Sequence, residues 1–587
     1  MMSAHATYGY LEFPGADAVR IYADPIEVVT AHTVEEVLPA LKRVESRVGT
    51  GLHAAGFVGY EAAPAFDPSF QTHSPGPLPL LWFGLYEHWH AALPAHQAPL
   101  TDRDMPTWTS HVSRSEYKDA LARIRHQIGA GNTYQVNYTY PTTAHFDLDG
   151  YTWFNDRIHA QRGAYSAYLN VGDHQIISLS PELFFSLGDS VLTSRPMKGT
   201  RPRGFSASQD QALAAALRCS PKERAENLMI VDMLRNDMGR VCTTGSIQVP
   251  ELFSIEQYPT VWQMTSTITG DCHASVPEIF QALFPCASVT GAPKIETMKI
   301  IRQLEQVPRG AYCGAIGWWS PDRQARFNVA IRTAVVETES ARATYSVGSG
   351  ITWDSVDDQE FEECQTKTAV LHHHMPEFEL LTSLRLDDDG YFLLPYHLDR
   401  LARSAAHFDF QFDREVVSET LEAYRAEVDE LPAKIRLCVN RLGTLTLTHS
   451  TLPEGEPWKV GLSSVFMDTE QPWIYHKTTH RDCYDTARAT RPDCMDVILT
   501  DSEGRLTEAT YANVVLEIEG RKLTPPLENG LLDGVFRRHL IETGVLEEQT
   551  LRVDDLARAD QIFLINSVRK WIPVAWQPLE EKASLGV

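Results

Sequence analysis

The chain has 587 residues, of which 43% are hydrophobic and 22% charged, a composition typical of soluble globular proteins. This length exceeds what one hydrophobic core usually serves and predicts two large domains or several smaller ones. The formal net charge of −25 argues against nucleic acids and anionic membranes as partners, because both are negatively charged.

The nine cysteines are scattered along the chain without CxxC pairs, which favours a reducing compartment over a disulfide framework. The first residues lack the basic start and apolar segment of a signal peptide. The sequence contains no stretch of about 18 uncharged apolar residues, so it predicts no membrane span. We therefore expect a cytoplasmic protein.

The spacing of apolar and turn-forming residues predicts alternating strands and helices. Short strands and turns are expected over residues 1–110, followed by a helix that opens at Ser115 and ends at Gly129. The pattern then predicts strands over 165–195, helices over 208–240 and 290–306, strands over 311–318 and 326–338, and a helix over 357–370.

A break in the helical spacing at His372-His373-His374-Met375-Pro376 is interpreted as a linker between a domain of residues 1–371 and one of residues 377–587. Consecutive histidines could also bind a metal, but neighbours on an extended chain point in opposite directions. The second domain is predicted to contain strand, strand, helix and strand over 377–450, a strand meander over 494–524, and a helix over 534–544.

Two pairs of acidic residues in the first domain are candidates for metal binding: Glu223 with Glu226, and Glu360 with Glu363. Their i, i+3 spacing places each pair on one helix face. Such pairs are also typical of a solvated helix surface. If the two helices face each other, however, the carboxylates would repel unless a divalent cation such as Mg²⁺ lies between them.

A glycine-rich segment and one lysine are candidates for anion binding and catalysis. Residues 348–351 read Gly-Ser-Gly-Ile after a strand-like stretch, where glycines let backbone N–H groups approach an anion or form a plain turn. Lys198 lies between proline and glycine in the segment Pro196-Met197-Lys198-Gly199-Thr200, where a lysine is often simply exposed.

Together these segments resemble the chorismate-utilising enzyme family over nearly all of residues 1–371. The resemblance rests on an ordered set of motifs: Ser180-Pro181-Glu182, the stretch from Glu226-Asn227 to Arg235-Asn236-Asp237, Thr290-Gly291-Ala292-Pro293-Lys294, Tyr312-Cys313-Gly314-Ala315-Ile316-Gly317, Ala330-Ile331-Arg332-Thr333, the 348–351 segment and the Glu-rich helix.

The resemblance implies a role for each candidate residue. Glu226 and Glu363 would hold Mg²⁺, with Glu223 and Glu360 nearby through water. Arg332 suits a carboxylate because a guanidinium can donate two parallel hydrogen bonds to it. The residues implied to hold the carboxylates of chorismate are Gly199, Thr200, Tyr312, Arg332, Gly348, Ser349, Gly350 and Lys367.

Lys198 separates two branches of the family. Its segment is similar to the Pro-Ile-Lys-Gly-Thr of aminodeoxychorismate synthases, whereas anthranilate synthases resemble Pro-Ile-Ala-Gly-Thr. The resemblance implies that the lysine amine attacks ring carbon C2 and expels the 4-hydroxyl, and that ammonia then adds at C4 and displaces the lysine. The amine must be unprotonated, so the pocket is expected to lower its pKa from about 10.4.

Two components of this reaction are missing from the sequence pattern. Residues 260–266 lack the histidine that relatives often carry there, so the acid that protonates the leaving hydroxyl is not identified. A glutamine amidotransferase motif is also lacking, since Cys313 belongs to a strand motif of the chorismate family. A separate glutamine amidotransferase subunit is therefore the expected source of ammonia, with free ammonia as a substitute.

The second domain resembles the fold-type IV pyridoxal-phosphate enzymes, a group of aminotransferases and aminodeoxychorismate lyases. The resemblance implies that Lys477 bonds the cofactor aldehyde and moves a proton, and that Glu508 pairs with the pyridine nitrogen. Arg400 would bind the phosphate, helped by backbone N–H groups of residues 530–534 at a helix start. Asn513 matches a recurrent asparagine of the group.

These resemblances predict an α/β (α+β) chain: a large chorismate-utilising fold with antiparallel sheets and outer helices, then a two-lobed fold-type IV domain. The expected function is synthesis of 4-aminobenzoate for folate from chorismate, with Mg²⁺ and pyridoxal phosphate as cofactors and with a homodimer through the second domain. One alternative is an anthranilate synthase-like component joined to a branched-chain or D-amino acid aminotransferase. Another is a non-catalytic binding subunit.

Overall fold

The chain divides into two compact units. The first comprises residues 1–203 and 214–375, and the second comprises residues 204–213 and 376–587. Four residues of the predicted linker, His372 to Met375, lie outside the described residues. The computed structural model describes residues 8–14, 19–92, 105–161, 164–371, 376–452 and 456–578.

The strands between residues 8 and 371 are β1 (Leu11–Phe13), β2 (Val19–Tyr22), β3 (Glu27–Ala31), β4 (His53–Val58), β5 (Leu81–Tyr86), β6 (His90–Ala92), β7 (Thr109–Ser110), β8 (Gln135–His145), β9 (Ala167–Asn170), β10 (His174–Ser178), β11 (Leu183–Gly188), β12 (Val191–Arg195), β13 (Met197–Pro202), β14 (Gln248–Gln257), β15 (Val261–Asp271), β16 (Gly291–Ala292), β17 (Ala315–Trp319), β18 (Ala325–Val329), β19 (Thr333–Glu337) and β20 (Arg342–Ile351).

These strands form two antiparallel sheets, each with ten strands in the part of the chain that the structure describes. The first has the order β16-β8-β20-β19-β10-β9-β1-β2-β6, with β7 beside β8. The second has the order β13-β15-β12-β11-β18-β17-β4-β5-β3, with β14 beside β15. Two segments with candidate residues therefore lie in different sheets: the lysine segment in β13 and the glycine segment in β20.

The helices of the same stretch include four that the sequence pattern did not predict: Val34–Val48, Ala63–Phe66, Gly150–Gln161 and Val276–Leu283. The first of these begins after a capping box between Thr33 and Glu36. The predicted helix over 208–240 is two helices, because Pro221 cannot continue the preceding one and instead starts the next. The helices are α1 (Val34–Val48), α2 (Ala63–Phe66), α3 (Arg114–Gly129), α4 (Gly150–Gln161), α5 (Ala207–Cys219), α6 (Pro221–Met238), α7 (Val276–Leu283), α8 (Lys294–Leu304) and α9 (Asp357–Thr368).

An aromatic cluster in the first unit joins α7 to the second sheet. The ring of Phe280 on α7 lies 5.0 Å from that of Phe327 on β18 and 5.4 Å from that of Phe185 on β11. All three side chains are fully buried. Edge-to-face pairs of this kind stabilise a core beyond the burial of their area, so the sheet that carries the lysine segment has a rigid backing.

The second unit has two sheets. Its strands are β21 (Leu380–Asp387), β22 (Gly390–Tyr391), β23 (Ala433–Val439), β24 (Leu445–Thr451), β25 (Trp458–Phe466), β26 (Asp496–Thr500), β27 (Leu506–Ala509), β28 (Asn513–Ile518), β29 (Arg521–Thr524), β30 (Glu547–Glu548), β31 (Gln561–Asn566) and β32 (Lys570–Gln577), and its helices are α10 (Leu394–Phe408), α11 (Arg414–Tyr424), α12 (Asp482–Ala489) and α13 (Val535–Glu542).

The smaller sheet of the second unit is antiparallel, in the order β22-β21-β23-β24, and α10 packs on it. The larger sheet has the order β27-β26-β25-β32-β31-β28-β29-β30 and contains both parallel and antiparallel pairs. The predicted class, mixed α/β with antiparallel sheets and a two-lobed second domain, is confirmed. Over 377–450 the structure adds α11 and β24 to the predicted elements.

Candidate active sites

A cavity of about 110 Å³ in the first unit collects most of the residues singled out in the sequence. Its walls come from β13, α6, β20 and α9 and from the segments around residues 288, 312 and 331. The predicted residues that line it are Lys198, Gly199, Thr200, Glu223, Glu226, Tyr312, Arg332, Gly348, Gly350, Glu360, Glu363 and Lys367.

A bulge in β13 positions Lys198. The register of β13 against β15 shifts between Met197, which faces Thr265, and Thr200, which faces Gln263. Three residues along β13 therefore correspond to two along β15, as in a β-bulge. Gly199 supplies the left-handed backbone that the bulge needs, with φ of +92°.

Gln263 fixes the bulge from the neighbouring strand. Its amide Nε2 donates to the carbonyl oxygen of Gly199 at 2.8 Å, and its Oε1 accepts from the hydroxyl of Thr200 at 3.1 Å. Gln263 belongs to the segment in which relatives often carry a histidine. Here that segment positions the lysine strand.

The two glycines of residues 348–350 allow close packing inside a strand and do not form a turn. The predicted turn is wrong, because β20 continues through them to Ile351. A Cβ atom at Gly348 would lie 2.2 Å from the carbonyl oxygen of Tyr138. A Cβ atom at Gly350 would lie 3.0 Å from Nζ of Lys198, so this backbone forms the surface that the lysine amine approaches.

Ser349 was predicted to bind substrate, but it is not among the described residues that line the cavity. Its hydroxyl lies 2.8 Å from that of Tyr117 on α3, and the side chain is buried. Successive side chains of a strand point to opposite faces. Ser349 therefore contributes to this site only through its backbone.

The four carboxylates of α6 and α9 face the same cavity, as the paired spacing predicts. Burial raises the pKa of Glu226 to about 7, although Lys198 opposes the shift. Burial, followed by the charge of Glu363, also raises the pKa of Glu223. Glu363 behaves differently: burial would raise its pKa, but the adjacent Lys367 lowers it overall.

Two lysines partly neutralise this acidic cluster. Nζ of Lys222 lies 3.9 Å from Glu226 Oε1 and 3.6 Å from Glu360 Oε1. Nζ of Lys367 lies 2.8 Å from Glu363 Oε1 and donates to the carbonyl oxygen of Gly348 at 2.9 Å. Lys367 thus ties α9 to the glycine segment of β20, and its ammonium is held at the cavity wall.

Glu182 is a candidate residue whose role the sequence pattern did not reveal. It lies between β10 and β11, lines the cavity, and is 2% exposed. Its Oε1 has no hydrogen-bond partner among the described residues. Burial raises its pKa to about 7, against the opposing effects of Ser288 and Lys198. A carboxyl group with this pKa can carry a proton at neutral pH.

The second unit buries a lysine next to charged groups. Lys477 follows the short helical turn of residues 472–474, and its backbone carbonyl accepts from the amide of Leu381 on β21. Burial, assisted by the positive charges of Arg400 and Arg481, lowers the pKa of Lys477 to about 7. The amine is therefore substantially unprotonated at neutral pH, as a nucleophile for a carbonyl must be.

A buried carboxyl, Glu508, completes this second group at the start of the turn from β27 to β28. It accepts from the hydroxyl of Tyr484 at 2.7 Å and, more weakly, from Nδ2 of Asn513 at 3.4 Å. Asn513 also donates to the carbonyl oxygen of Leu532 at 2.9 Å. Burial raises the pKa of Glu508 to about 7.

Arg400 on α10 lies in the interior of the same unit. Its Nη2 donates to the hydroxyl of Thr382 at 3.1 Å, and this hydroxyl lies 2.7 Å from Nδ1 of His397. Burial, with the charges of Arg403 and Arg538, lowers the pKa of Arg400 to about 9. Among the described residues, Arg400 donates to this one neutral hydroxyl, so its guanidinium retains donors for an anion.

Comparison with known proteins gives the family of the chain. Residues 7–373 match the model of a family described as chorismate binding enzyme. The chain belongs to the chorismate binding enzyme family. Residues 379–575 match a second family model, described as amino-transferase class IV. The two matches cover the two groups of candidate residues separately.

Individual relatives of this chorismate binding enzyme are similar in the first unit. It is 34% identical to aminodeoxychorismate synthase component 1 of Salmonella typhimurium over 380 residues, which are 60% of this chain and 82% of the relative. Aminodeoxychorismate synthase component 1 of Klebsiella aerogenes is 38% identical over 270 residues, which are 46% of this chain and 59% of the relative. The chain thus resembles aminodeoxychorismate synthase component 1 over part of its length and carries a class IV aminotransferase-like domain.

A solved structure agrees on the fold. The anthranilate synthase component I from Streptococcus pneumoniae superposes with a TM-score of 0.51 at 23% identity, over 62% of this chain and 91% of that protein. At this identity the likeness supports the fold alone. No helix in the described part of the chorismate binding enzyme is both long and apolar enough to cross a membrane.

The residues of the first cavity suit a divalent cation that is shared with substrate. Among the described residues, no group of three or more His, Cys, Asp or Glu side chains is already arranged around one point. Mg²⁺ does not require such a group, because it commonly takes one or two carboxylates together with water and substrate oxygens. Four carboxylates line this cavity, and the charge of Glu363 adds to burial in raising the pKa of Glu223, a repulsion that a cation would relieve.

The residues of the second unit suit pyridoxal phosphate. A buried lysine with a lowered pKa, a buried carboxyl and a buried arginine supply the partners for an aldehyde, a ring nitrogen and a phosphate, respectively. Gly534, which precedes α13, has no room for a side chain: a Cβ atom would lie 1.9 Å from Oδ1 of Asn513. Backbone N–H groups at this helix start are accordingly able to approach a phosphate closely.

Proposed function

We propose that the first unit converts chorismate and ammonia into 4-amino-4-deoxychorismate, and that the second unit then releases pyruvate to give 4-aminobenzoate. The observation that carries the proposal is the position of Lys198, whose amine approaches Gly350 in a cavity that also contains Glu182 and Glu226. An anthranilate synthase-like reaction would need no amine at this point of the chain.

Chorismate carries two carboxylates, and the cavity offers fixed donors for them. Arg332 lines the wall with its side chain, and its backbone φ of +50° reflects the tight course of the chain before β19. Lys367 is held by Glu363 and Gly348. Such cations orient a dianionic substrate without taking part in bond changes, so Arg332 and Lys367 are proposed to bind and to position chorismate.

The proposed first step uses Lys198 as nucleophile. Its nitrogen bonds ring carbon C2 while both ring double bonds shift and the C4–O bond breaks. Glu182, whose raised pKa lets it hold a proton, donates that proton to the departing oxygen, which leaves as water. The proton that Lys198 loses as the C2–N bond forms passes to solvent, since Glu226 is proposed to hold Mg²⁺.

In the second step ammonia bonds C4, both ring double bonds shift back, and the C2–N bond to Lys198 breaks. The overall change is chorismate plus ammonia to 4-amino-4-deoxychorismate plus water. Glu226 and Glu363 are the residues proposed to hold Mg²⁺, which would neutralise substrate charge and polarise the leaving hydroxyl. A separate glutamine amidotransferase subunit is the proposed source of ammonia, because component 1 relatives are one part of a two-component system.

The second unit is proposed to act on the aminated product. Bound pyridoxal phosphate would supply an electron sink next to the substrate nitrogen. Lys477, unprotonated near neutral pH, is suited to take the proton from C4 of the substrate. Loss of the enolpyruvyl group from C3 as pyruvate then makes the ring aromatic. Glu508 would hold the proton of the cofactor ring nitrogen, and Arg400 would bind its phosphate.

The test of the synthase reaction compares two lysine variants. Purified chain is supplied with chorismate, Mg²⁺ and ammonium, and the aminated product is measured by chromatography. Lys198→Ala is expected to lose at least a thousandfold in rate, because the nucleophile is gone. Lys299→Ala removes a partly exposed lysine on α8 that is outside the cavity lining and forms an ion pair with Glu296, and should retain full activity. Undiminished amination by Lys198→Ala would contradict the proposal.

The test of the second reaction uses Lys477→Ala in the same assay with pyridoxal phosphate added. This variant should accumulate 4-amino-4-deoxychorismate and form neither 4-aminobenzoate nor pyruvate. If the second unit is instead an aminotransferase, the unmodified chain would also leave the aminated intermediate untouched and would exchange amino groups between amino acids and keto acids. Product analysis of the unmodified chain separates these outcomes.

A further inference from the structure

Two cysteines of the first unit, Cys242 and Cys272, face each other outside the cavity. Cys242 lies four residues after the end of α6, and Cys272 directly follows β15. The two residues form an isolated antiparallel bridge. All nine cysteines of the chain are free thiols in this structure. Neither residue has a role in the proposed reaction.

The backbone around the bridge identifies its type. The amide of Thr243 donates to the carbonyl oxygen of Asp271 at 2.8 Å, so the residues that flank the pair make the hydrogen bond. The amides of Cys242 and Cys272 donate elsewhere, to Met238 and Ser190. This is the non-hydrogen-bonded arrangement, in which Cα atoms lie about 4.5 Å apart and side chains are closest. That spacing is within the range of disulfides, roughly 4.4–6.8 Å.

The side chains point toward each other. A Cβ atom added to Gly270 would lie 2.9 Å from Sγ of Cys242, so this sulfur is directed at the end of β15. Sγ of Cys272 is buried and donates to the carbonyl oxygen of Val241, beside Cys242, at 3.6 Å. A hydrogen bond between the two thiols lowers the pKa of Cys272 and raises that of Cys242.

We propose that Cys242 and Cys272 are a redox site, which a peroxide converts to a disulfide and a thiol reductant restores. Cys242 is partly exposed, so that an oxidant can reach the pair. The sulfur that reacts first takes one oxygen from hydrogen peroxide and becomes a sulfenic acid, releasing water. The other sulfur then attacks it, forms the S–S bond and releases a second water. Two thiols and one peroxide thus yield one disulfide and two waters.

The position of the bond determines its consequence. It would close a loop that contains β14 and β15, and it would join the segment after α6 to the end of β15. Helix α6 carries Glu223 and Glu226, while β15 carries Gln263, which holds the lysine bulge. Closing a loop of about 30 residues reduces the entropy of the unfolded chain. The oxidised first unit should therefore unfold at a temperature several degrees higher.

The test treats the full chain with hydrogen peroxide and then alkylates the remaining thiols. Seven alkylated cysteines are expected in place of nine, with a Cys242–Cys272 peptide pair found by mass spectrometry under non-reducing conditions. The melting temperature of the first unit should rise by several degrees and return after dithiothreitol. Cys242→Ser and Cys272→Ser should each abolish both changes.

Cys219→Ser provides the matched control, because Cys219 is an exposed thiol at the end of α5. This variant should still form the Cys242–Cys272 pair and show the same rise in melting temperature. Circular dichroism of each variant before oxidation verifies that it is folded. The inference is overturned if peroxide leaves all nine thiols free, if it links a different pair, or if the linked chain melts no higher than the reduced one.

Discussion

Replacement of Glu182 by glutamine should make the chain inactive yet more stable at alkaline pH. The carboxyl is 2% exposed, its Oε1 has no hydrogen-bond partner among the described residues, and burial raises its pKa from 4.5 to about 7. A neutral amide of the same shape avoids the cost of a buried negative charge. The same change removes the proposed proton donor.

The magnitude follows from the linkage between protonation and folding. Because the pKa of Glu182 is raised in the folded state, its contribution is fully present below pH 4.5 and is lost as pH rises through about 7. A shift from 4.5 to about 7, at about 1.4 kcal/mol per unit, corresponds to roughly 3 kcal/mol. Glu182→Gln should therefore match the unmodified chain near pH 4.5 and exceed its stability by up to about 3 kcal/mol at pH 8.

Urea unfolding of the first unit at pH 5 and pH 8 measures this difference, and the amination assay measures the loss of activity. Glu35→Gln, an exposed carboxylate on α1, should change stability by no more than about 0.5 kcal/mol at either pH. A glutamine variant that is less stable than the unmodified chain at pH 8, or one that still aminates chorismate, would refute the assignment of Glu182 as a buried proton donor with a raised pKa.

Three further changes test other parts of the structure. Arg309→Ala removes the ion partner of the buried Glu305 carboxyl, which it contacts at 2.7 Å, and urea unfolding should show a loss of about 3–5 kcal/mol in the free energy of unfolding. Gly350→Ala places a Cβ atom 3.0 Å from Nζ of Lys198, and should reduce the amination rate more than tenfold while circular dichroism remains unchanged. The rate at which Lys477 takes up pyridoxal phosphate, measured by absorbance, should rise with pH and level off above about 8, because the pKa of Lys477 is lowered to about 7. A rate that climbs steadily to pH 10 would contradict this prediction.

The sequence predicted the chemistry of the first cavity better than its geometry. Lys198, the two acidic pairs and Arg332 lie in segments whose residue types indicate their chemistry, and the cavity brings them together. The bulge that positions Lys198 depends on Gln263, more than sixty residues later in the chain. Contacts between strands so distant in sequence leave no local periodicity.

The protonation state of Glu182 likewise could not be predicted from the sequence. Its motif was part of the resemblance, but its raised pKa comes from burial, and burial depends on the surrounding fold. The 348–350 segment was predicted as a turn because glycines commonly form turns. Here Gly348 instead permits close contact with Tyr138 on β8, which only the sheet register reveals.

Helix α1 was missed for a local reason. Pro39 lies within it and two glycines follow it, a composition that predicts turns. Its apolar residues Val37, Leu41 and Val44 are nevertheless spaced for one helix face and are fully buried. Tertiary burial of that face outweighs the cost of the proline.

The most direct test supplies the purified chain with chorismate, ammonium, Mg²⁺ and pyridoxal phosphate and identifies every aromatic product. The two proposed reactions predict 4-aminobenzoate and pyruvate in equal amounts, with 4-amino-4-deoxychorismate as the transient intermediate. Formation of 2-aminobenzoate, or recovery of unreacted chorismate from a folded chain, would contradict the proposed role of Lys198.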